Sequence, residues 1–249
     1  MRYARATAFI VLFCIHSITC AADSQTVRGI KLAVPLGATV AFEGDSLTYG
    51  LDASETGGQP PINGSSYPRS AVPFPEEVGK LIAGKIRILN RGYPGDSSLD
   101  GLKRWRSAPM AALVFIMYGT NDFGNFGHRP DGVVDLASFK VALQELVLRR
   151  KNSGAQVVLM TPPPTKDENF DGNLEDYRRV IRKVGKEVGA TVIESADIIR
   201  GVRSKWTDGL HLSLESNQAL ATSVVGMIQI CESGVSAART SRCISKIQR

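Results

Sequence analysis

The sequence predicts an α/β fold: a three-layer α/β/α domain around a five-stranded parallel sheet. Five short runs of apolar, β-prone residues alternate with segments in which apolar residues recur at helical spacing. Runs such as residues 111–117 are apolar without interruption, which is typical of strands that helices cover on both faces. Because right-handed crossovers join such strands, the flavodoxin-like strand order 2-1-3-4-5 is the simplest arrangement.

The predicted strands are short, and each is followed by polar or turn-forming residues. They comprise residues 38–42, 85–89, 111–117, 156–160 and 191–193. The first ends just before Ser46, the second before a tight turn through Gly95, and the third before Asn121. The carboxyl ends of parallel strands meet at one edge of the sheet, where ligands bind. The predicted order therefore places the turns at Gly95 and Asn121 on either side of Ser46.

Helix boundaries follow from capping residues, acidic first turns and glycine stops. These signals predict helices that begin at Pro75 and Asn173, a helix that Asp135 caps, and a last helix that Ser213 caps and that runs through Ile230. Residues 51–72 are rich in Gly, Pro and Ser and show no periodicity. A loop of that length in a compact domain is usually either functional or disordered, and this one leaves the same edge as Ser46.

The two ends of the chain differ in composition from its body. Residues 1–22 combine two arginines, an apolar stretch and small residues at the end, which is the pattern of a cleaved signal peptide. We expect a secreted or periplasmic protein with one domain over residues 23–230 and a basic tail over 231–249; a retained N-terminal anchor is the alternative. Residues 1–22 carry two positive charges and residues 239–249 carry four, which together equal the formal net charge of +6, so the body between them is neutral and nucleic-acid binding gains no support.

Cysteine positions agree with export. Cys14 and Cys20 fall in the predicted signal, which leaves Cys231 and Cys243 in the mature chain. Two cysteines in an oxidising compartment most simply form a disulfide, which would tie the tail to the last helix. Two free thiols are the alternative.

Several polar residues at the predicted sheet edge have the chemistry of acyl transfer. Such chemistry needs a nucleophile, a proton acceptor and donors aimed at the developing oxyanion. Ser46 is the candidate nucleophile, and His211, with Asp208 three residues before it, is the candidate base and its orienting partner. The backbone N–H groups of Ser46 and Gly95 and the side-chain amide of Asn121 are candidate oxyanion donors.

These segments resemble the SGNH, or GDSL, hydrolase family. Gly-Asp-Ser-Leu-Thr-Tyr-Gly at residues 44–50 is similar to the first family block, and residues 90–98 are similar to the block that carries an oxyanion glycine. Gly-Thr-Asn-Asp at 119–122 and Asp-Gly-Leu-His at 208–211 resemble the remaining two. The resemblance covers roughly residues 38–228. It implies a flavodoxin-like fold and Ser-His-Asp ester hydrolysis without a metal or cofactor.

Each block also has a purely structural interpretation, because Gly, Asp, Asn and Ser are common turn residues. Asp45 is expected to be a structural hydrogen-bond acceptor. Gly-Asp-Ser occurs a second time at residues 95–97, but Ser97 follows a Pro94 turn and is not the expected nucleophile. His128 has no carboxylate at comparable spacing and is interpreted as a loop residue. Zinc chemistry is disfavoured, since the chain lacks Cys-x-x-Cys and His-Glu-x-x-His.

The sequence as a whole favours an exported, monomeric serine esterase that removes O-acetyl or other short acyl groups from a glycan or small ester. We expect no nucleic-acid partner and no lasting membrane contact after signal removal. The alternatives are a lysophospholipase or thioesterase acting on longer acyl chains, a sugar O-acyltransferase, and a non-catalytic glycan-binding module. The complete set of catalytic residue types argues against the last.

Overall fold

A computed structural model describes residues 30–54, 58–107, 110–126, 130 and 132–232, together with the backbone of 242–243. Its main sheet has five parallel strands in the order β3-β2-β4-β5-β6. The first predicted strand is β2, so this order is the predicted 2-1-3-4-5. The strands are β2 (Thr39–Gly44), β3 (Arg87–Gly92), β4 (Leu113–Met117), β5 (Gln156–Met160) and β6 (Thr191–Ile193).

Eight helices occur in the described part of the chain. They are α1 (Ser46–Tyr49), α2 (Phe74–Leu81), α3 (Ser98–Arg104), α4 (Thr120–Gly124), α5 (Leu136–Asn152), α6 (Glu168–Val188), α7 (Ser195–Arg200) and α8 (Leu214–Met227).

The central strand β4 shows how the sheet forms the middle layer. Leu113, Phe115 and Met117 belong to one buried apolar cluster, which includes residues of α2 and α8. Val114 and Ile116 belong to a second cluster with residues of α5 and α6. Successive side chains of a strand point to opposite faces, so the uninterrupted apolar run is needed to fill both cores. The predicted three-layer architecture is confirmed.

Three predicted boundaries were wrong for identifiable reasons. The second strand does not stop at residue 89, because residues 90–92 continue to pair in register with β2 as far as Gly44. The helix expected from Asn173 begins at Glu168, since the carboxylate of Asp167 caps it by accepting from the Asn169 and Phe170 amides at 2.9 and 3.0 Å. The last helix ends at Met227 and not at Ile230.

Residues after the last helix form a second, small sheet that the sequence reasoning missed. Strand β7 (Ile228–Glu232) pairs in parallel with β1 (Leu32–Pro35) and antiparallel with β8 (Arg242–Cys243). Cys231 and Cys243 are register partners. The Cys243 side chain lies outside the described residues, so the disulfide stays a prediction. The predicted signal peptide over 1–22 also lies outside them.

Candidate active site

Three strands end side by side at the candidate site. Gly44 at the end of β2 is in register with Gly92 of β3 on one side and with Met117 of β4 on the other. The Tyr93 amide continues this pairing by donating to the Gly44 carbonyl at 3.0 Å. The segments that carry Ser46, Gly95 and Asn121 therefore leave the sheet from neighbouring positions.

Ser46 is the first residue of α1, immediately after the strand. Asp45 caps this short helix, because its Oδ1 accepts from the Leu47 amide at 2.9 Å. The helix sits directly on glycine backbone: a Cβ on Gly44 would clash with the Thr48 side chain of α1, and one on Gly92 would clash with the Tyr49 backbone nitrogen. These two positions must be glycine for α1 to pack where it does.

The Ser46 hydroxyl faces the imidazole of His211. The distance from Ser46 Oγ to His211 Nε2 is 3.1 Å, and His211 Nδ1 lies 2.7 Å from Asp208 Oδ2. The other carboxylate oxygen, Asp208 Oδ1, accepts from the backbone amides of Leu210 and His211 at 2.9 and 2.8 Å. The structure thus brings together the three residues that the sequence predicted as nucleophile, base and orienting partner.

The carboxylate of Asp208 is held in its ionised form. Partial burial raises its pKa, but hydrogen bonds from the His211 side chain and from the His211 and Leu210 amides outweigh burial and bring the pKa below its usual value. An ionised Asp208 fixes the proton of the imidazole on Nδ1. Nε2 is then left as the acceptor that faces the Ser46 hydroxyl.

The loop that carries Asp208 and His211 is fixed from two sides. The Thr207 amide donates to the His211 carbonyl at 2.8 Å, which closes the turn through Gly209 at a φ of +95°. The Lys166 amide donates to the Gly209 carbonyl at 2.8 Å, and the Trp206 indole donates to the Pro164 carbonyl at 2.7 Å. The proline-rich segment after β5 therefore supports the His211 loop.

Asn121 is hydrogen-bonded to Asp96, the residue that follows Gly95. Gly95 lies in a turn at a φ of +82°, and the next residue, Asp96, accepts from Asn121 Nδ2 through its carbonyl at 3.1 Å. Asn121 is buried in the first turn of α4. Two of the three predicted oxyanion donors thus lie in connected segments that follow the two strands flanking β2.

Several residues that organise the site were not predicted from the sequence. Asp122 accepts from the backbone and hydroxyl of Ser98, which joins α4 to the start of α3. Asn90 donates to the Thr48 carbonyl at 2.9 Å, and Arg69 donates to the Tyr49 carbonyl at 2.8 Å. Asn90 and Asp122 lie inside the recognised blocks, which was a usable signal. Arg69 lies in the loop without periodicity, where no pattern distinguishes it.

The loop over residues 51–72 is anchored where the structure describes it. Arg69 is 2% exposed, stacks 5.1 Å above the Tyr49 ring and forms an ion pair with Glu76. Tyr49 in turn donates from its hydroxyl to the Tyr67 carbonyl at 2.7 Å. The loop is therefore attached to α1, the helix that presents Ser46.

The two other candidate residues have different outcomes. Ser97 is fully buried and caps α3, with its hydroxyl directed at Asp100. His128 lies outside the described residues.

Within the described ranges, no three His, Cys, Asp or Glu side chains are grouped in a way that could hold a metal ion. In those same ranges no helix has the length and apolar content needed to cross a membrane.

Comparison with known proteins gives the family. The model of the GDSL-like lipase/acylhydrolase family matches residues 42–219. No curated protein sequence matches the chain significantly.

Solved structures share the fold at low sequence identity. A lipase/acylhydrolase from Enterococcus faecalis is 23% identical, with a TM-score of 0.60, over 76% of this chain and 93% of its own. An acetylxylan esterase from Geobacillus stearothermophilus is 20% identical, with a TM-score of 0.59, over 78% of this chain and 95% of its own. An alpha/beta hydrolase enzyme from the metagenome of Lake Arreo, Spain, is 19% identical, with a TM-score of 0.61, over 78% and 95%. The chain belongs to the GDSL-like lipase/acylhydrolase family and is a serine hydrolase that acts on ester bonds.

Proposed function

We propose that the protein is an exported esterase that removes short acyl groups, foremost O-acetyl groups, from a carbohydrate or small ester through an acyl-enzyme. The observation that carries the catalytic part is the chain of contacts from Ser46 through His211 to Asp208, at 3.1 and 2.7 Å. A serine hydroxyl is a weak nucleophile unless an adjacent base takes its proton, and this geometry supplies such a base.

The proposed reaction has two steps. In the first, Ser46 Oγ attacks the ester carbonyl while His211 Nε2 takes the hydroxyl proton; the imidazolium then gives this proton to the departing alcohol, which leaves an acyl-serine. In the second, His211 takes a proton from water while the water oxygen attacks the acyl carbon; the bond from the acyl carbon to Ser46 Oγ then breaks, the imidazolium returns its proton to Oγ, and the carboxylic acid leaves. Asp208 stays ionised and stabilises the imidazolium in both steps.

The proposed oxyanion site consists of the backbone N–H groups of Ser46 and Gly95 and the side-chain amide of Asn121. Their support is that the three segments leave adjacent strand ends and that Asn121 is bonded to the residue after Gly95. Fixed donors of this kind lower the barrier because they need no reorganisation when negative charge develops on the carbonyl oxygen.

The proposal of a short acyl group on a carbohydrate draws on the relatives. Catalytic mutants of the Geobacillus stearothermophilus acetylxylan esterase carry substitutions of a serine, an aspartate and a histidine, with the aspartate three residues before the histidine. The same residue types and the same spacing occur here at Ser46, Asp208 and His211. A further structure describes that enzyme as an acetyl-xylooligosaccharide esterase.

Export belongs to the same proposal. The composition of residues 1–22 supports a signal peptide, and the cross-strand register of Cys231 with Cys243 supports a disulfide in an oxidising compartment. We further propose that the mature protein is a secreted or periplasmic monomer that needs no metal, cofactor or nucleic acid.

A panel of nitrophenyl esters from acetyl to palmitoyl, together with acetylated xylooligosaccharides, tests the substrate. The mature wild-type protein should prefer acetyl esters, and the His211→Ala variant should be nearly inactive on all of them. A preference for long chains would replace the proposal with a lysophospholipase or thioesterase. A folded protein that hydrolyses none of them would contradict it.

Thiol titration of the denatured, unreduced mature protein tests the disulfide. We expect no free thiol. Two titratable thiols would show that Cys231 and Cys243 are not bonded.

A further inference from the structure

Arg104 contacts both sides of the turn that contains Gly95. It lies in the last turn of α3, and its Nε and Nη2 donate to Oδ2 and Oδ1 of Asp96 at 2.7 and 2.8 Å. Its guanidinium also lies 3.4 Å from the centre of the Tyr93 ring. The planar Arg104 guanidinium thus contacts both Tyr93, which precedes Pro94, and Asp96, which follows Gly95. A two-point contact with a carboxylate fixes orientation as well as distance.

The turn between these two residues is the one that would present an oxyanion donor. The Asp96 amide donates to the Tyr93 carbonyl at 3.2 Å, and Gly95 has a φ of +82°. Proline followed by glycine at the centre of a turn is typical of type II, and the positive φ of Gly95 fits that type. The orientation of the Gly95 N–H therefore depends on how the two flanking residues are held.

Asp96 also holds the second predicted donor. Its carbonyl accepts from Asn121 Nδ2 at 3.1 Å, while its carboxylate receives the Arg104 fork. The Asp96 side chain is only 5% exposed; burial raises its pKa, and Arg104 opposes that effect. A shift of Asp96 would move Gly95 and Asn121 together.

The start of α3 does not need Arg104. Ser97 and Asp100 form a reciprocal capping box at that end, and the Asp122 carboxylate accepts from the Ser98 amide and hydroxyl. The Arg104 side chain is 34% exposed and that of its partner Asp96 is 5% exposed, so a cation at position 104 compensates a buried carboxylate. Lysine would keep this charge but lose the two-point contact, so that substitution tests the geometry of the pair.

We propose that Arg104 is a positioning residue for the oxyanion site, acting through Asp96 and Tyr93 on Gly95 and Asn121. The proposal rests on the function proposed above, in which these donors stabilise the charge on the reacting carbonyl oxygen. Arg104 does not touch the substrate. Its fork sets the direction of the two donors, and a lysine, which carries the same charge at a single point, cannot replace it.

Arg104→Lys tests this role, with Arg182→Lys as the matched control. Arg182 makes the same kind of fork, to Glu194 at 2.9 Å through each nitrogen, and is 38% exposed, but it lies on α6. We expect Arg104→Lys to lower kcat on nitrophenyl acetate by about 10- to 100-fold with KM within about threefold, because displaced donors weaken the transition state selectively. Arg182→Lys should stay within about threefold in both.

A second measurement does not depend on activity. Hydrogen–deuterium exchange of the Asp96 amide should be faster in Arg104→Lys than in Arg182→Lys, because this amide donates to the Tyr93 carbonyl within the turn that Arg104 holds. Equal exchange, or a kcat as high as that of the control, would overturn the positioning role. A wild type that is inactive on every ester would refute the proposed function alone, and the exchange comparison would still decide whether Arg104 holds the turn.

Discussion

The chain contains Gly-Asp-Ser twice, at residues 44–46 and 95–97, and the two copies lie after neighbouring strands of one sheet. In the first copy the serine hydroxyl lies 3.1 Å from His211. In the second, the hydroxyl of Ser97 is buried and donates to Asp100 at 2.6 Å. Identical residues at similar places in the fold thus have different chemical environments.

The difference comes from where the following helix begins. In the first copy Asp45 is the N-cap and Ser46 is the first helical residue. In the second copy the helix begins one residue later relative to the tripeptide, so Ser97 itself is the N-cap. An N-cap side chain is occupied in bonding the free amides of the first turn, whereas the side chain of the next residue is not. A difference of one residue in where the helix begins therefore decides whether the serine hydroxyl caps the helix or faces the candidate active site.

The aspartates of the two copies, Asp45 and Asp96, also differ in their hydrogen-bond partners. Asp96 is buried beside the Arg104 guanidinium. Asp45 is buried with one oxygen bonded to the Leu47 amide, while its Oδ2 has no hydrogen-bond partner among the described residues. Burial, with smaller contributions from Asp122 and Asp96, raises the pKa of Asp45 to about 7.

The largest expected effect separates the two serines by activity. Ser46→Ala should lower kcat by about 10⁴-fold or more, because it removes the nucleophile and leaves only the oxyanion site and substrate binding. Ser97→Ala should stay within about tenfold of wild type, a barrier change of about 1.4 kcal/mol. Steady-state hydrolysis of nitrophenyl acetate measures both.

Covalent labelling sharpens the same contrast. An organophosphate should modify the wild type at Ser46, and mass spectrometry of the digested protein should find no label on Ser97. The double variant Ser46→Ala/His211→Ala should be scarcely slower than either single variant, since the two residues act as a unit. A label on Ser97 would reverse the assignment.

Sequence reasoning could distinguish the two copies only in part. The apolar run before Ser46 and the proline before Gly95 correctly indicated that one serine directly follows a strand and the other a turn. The second copy does not indicate its partners, however: Arg104 binds Asp96 from 8 residues later in the chain, and Asp122 binds Ser98, the residue after the copy, from 24 residues later. Contacts of that kind depend on packing, which local patterns do not record.

The dependence on distant contacts also explains why the main sheet was predicted from the sequence and the small sheet was not. The five central strands have uninterrupted or alternating apolar residues and turn signals of their own. Strand β7 follows α8 without an intervening loop, and it is paired with β1, which lies almost 200 residues earlier in the chain. A strand defined by such a distant partner looks locally like the end of a helix.

The second expected effect concerns the two aspartates and pH. The pKa of Asp45 is about 7 in the fold and near 3.8 in the unfolded chain, so the fold retains a proton that the unfolded chain loses. This contribution to stability is fully present below about pH 4 and is lost as the pH rises towards 7. Asp45→Asn keeps a capping oxygen but cannot titrate. The free energy of unfolding of Asp45→Asn minus that of the wild type should therefore increase from pH 4 to pH 8.

Urea unfolding of both proteins across that range measures the difference, with Asp96→Asn as the comparison. Burial also raises the pKa of Asp96, but Arg104 opposes the rise, so the corresponding change with pH should be smaller. Parallel stability curves for wild type and Asp45→Asn would show that Asp45 is ionised throughout.

The smallest expected effect again separates the two serines, now by stability. The Ser97 hydroxyl accepts from the Asp100 amide at 3.3 Å and donates to its carboxylate at 2.6 Å, as part of the capping box of α3. Ser97→Ala should therefore lower the free energy of unfolding by about 1 kcal/mol, the usual loss for an N-cap. Ser46→Ala should change it by less than about 0.5 kcal/mol, because the Ser46 hydroxyl caps nothing and alanine is favourable within a helix. Urea unfolding of the two variants and the wild type, without reducing agent, measures both stability changes. The midpoints can be compared directly if the dependence of the free energy of unfolding on urea concentration is the same for all three proteins. Of the two serines, Ser46 should thus have the larger effect on turnover and the smaller effect on stability. Equal stability losses would mean that the one-residue difference in helix start does not explain why one serine is catalytic and the other caps a helix.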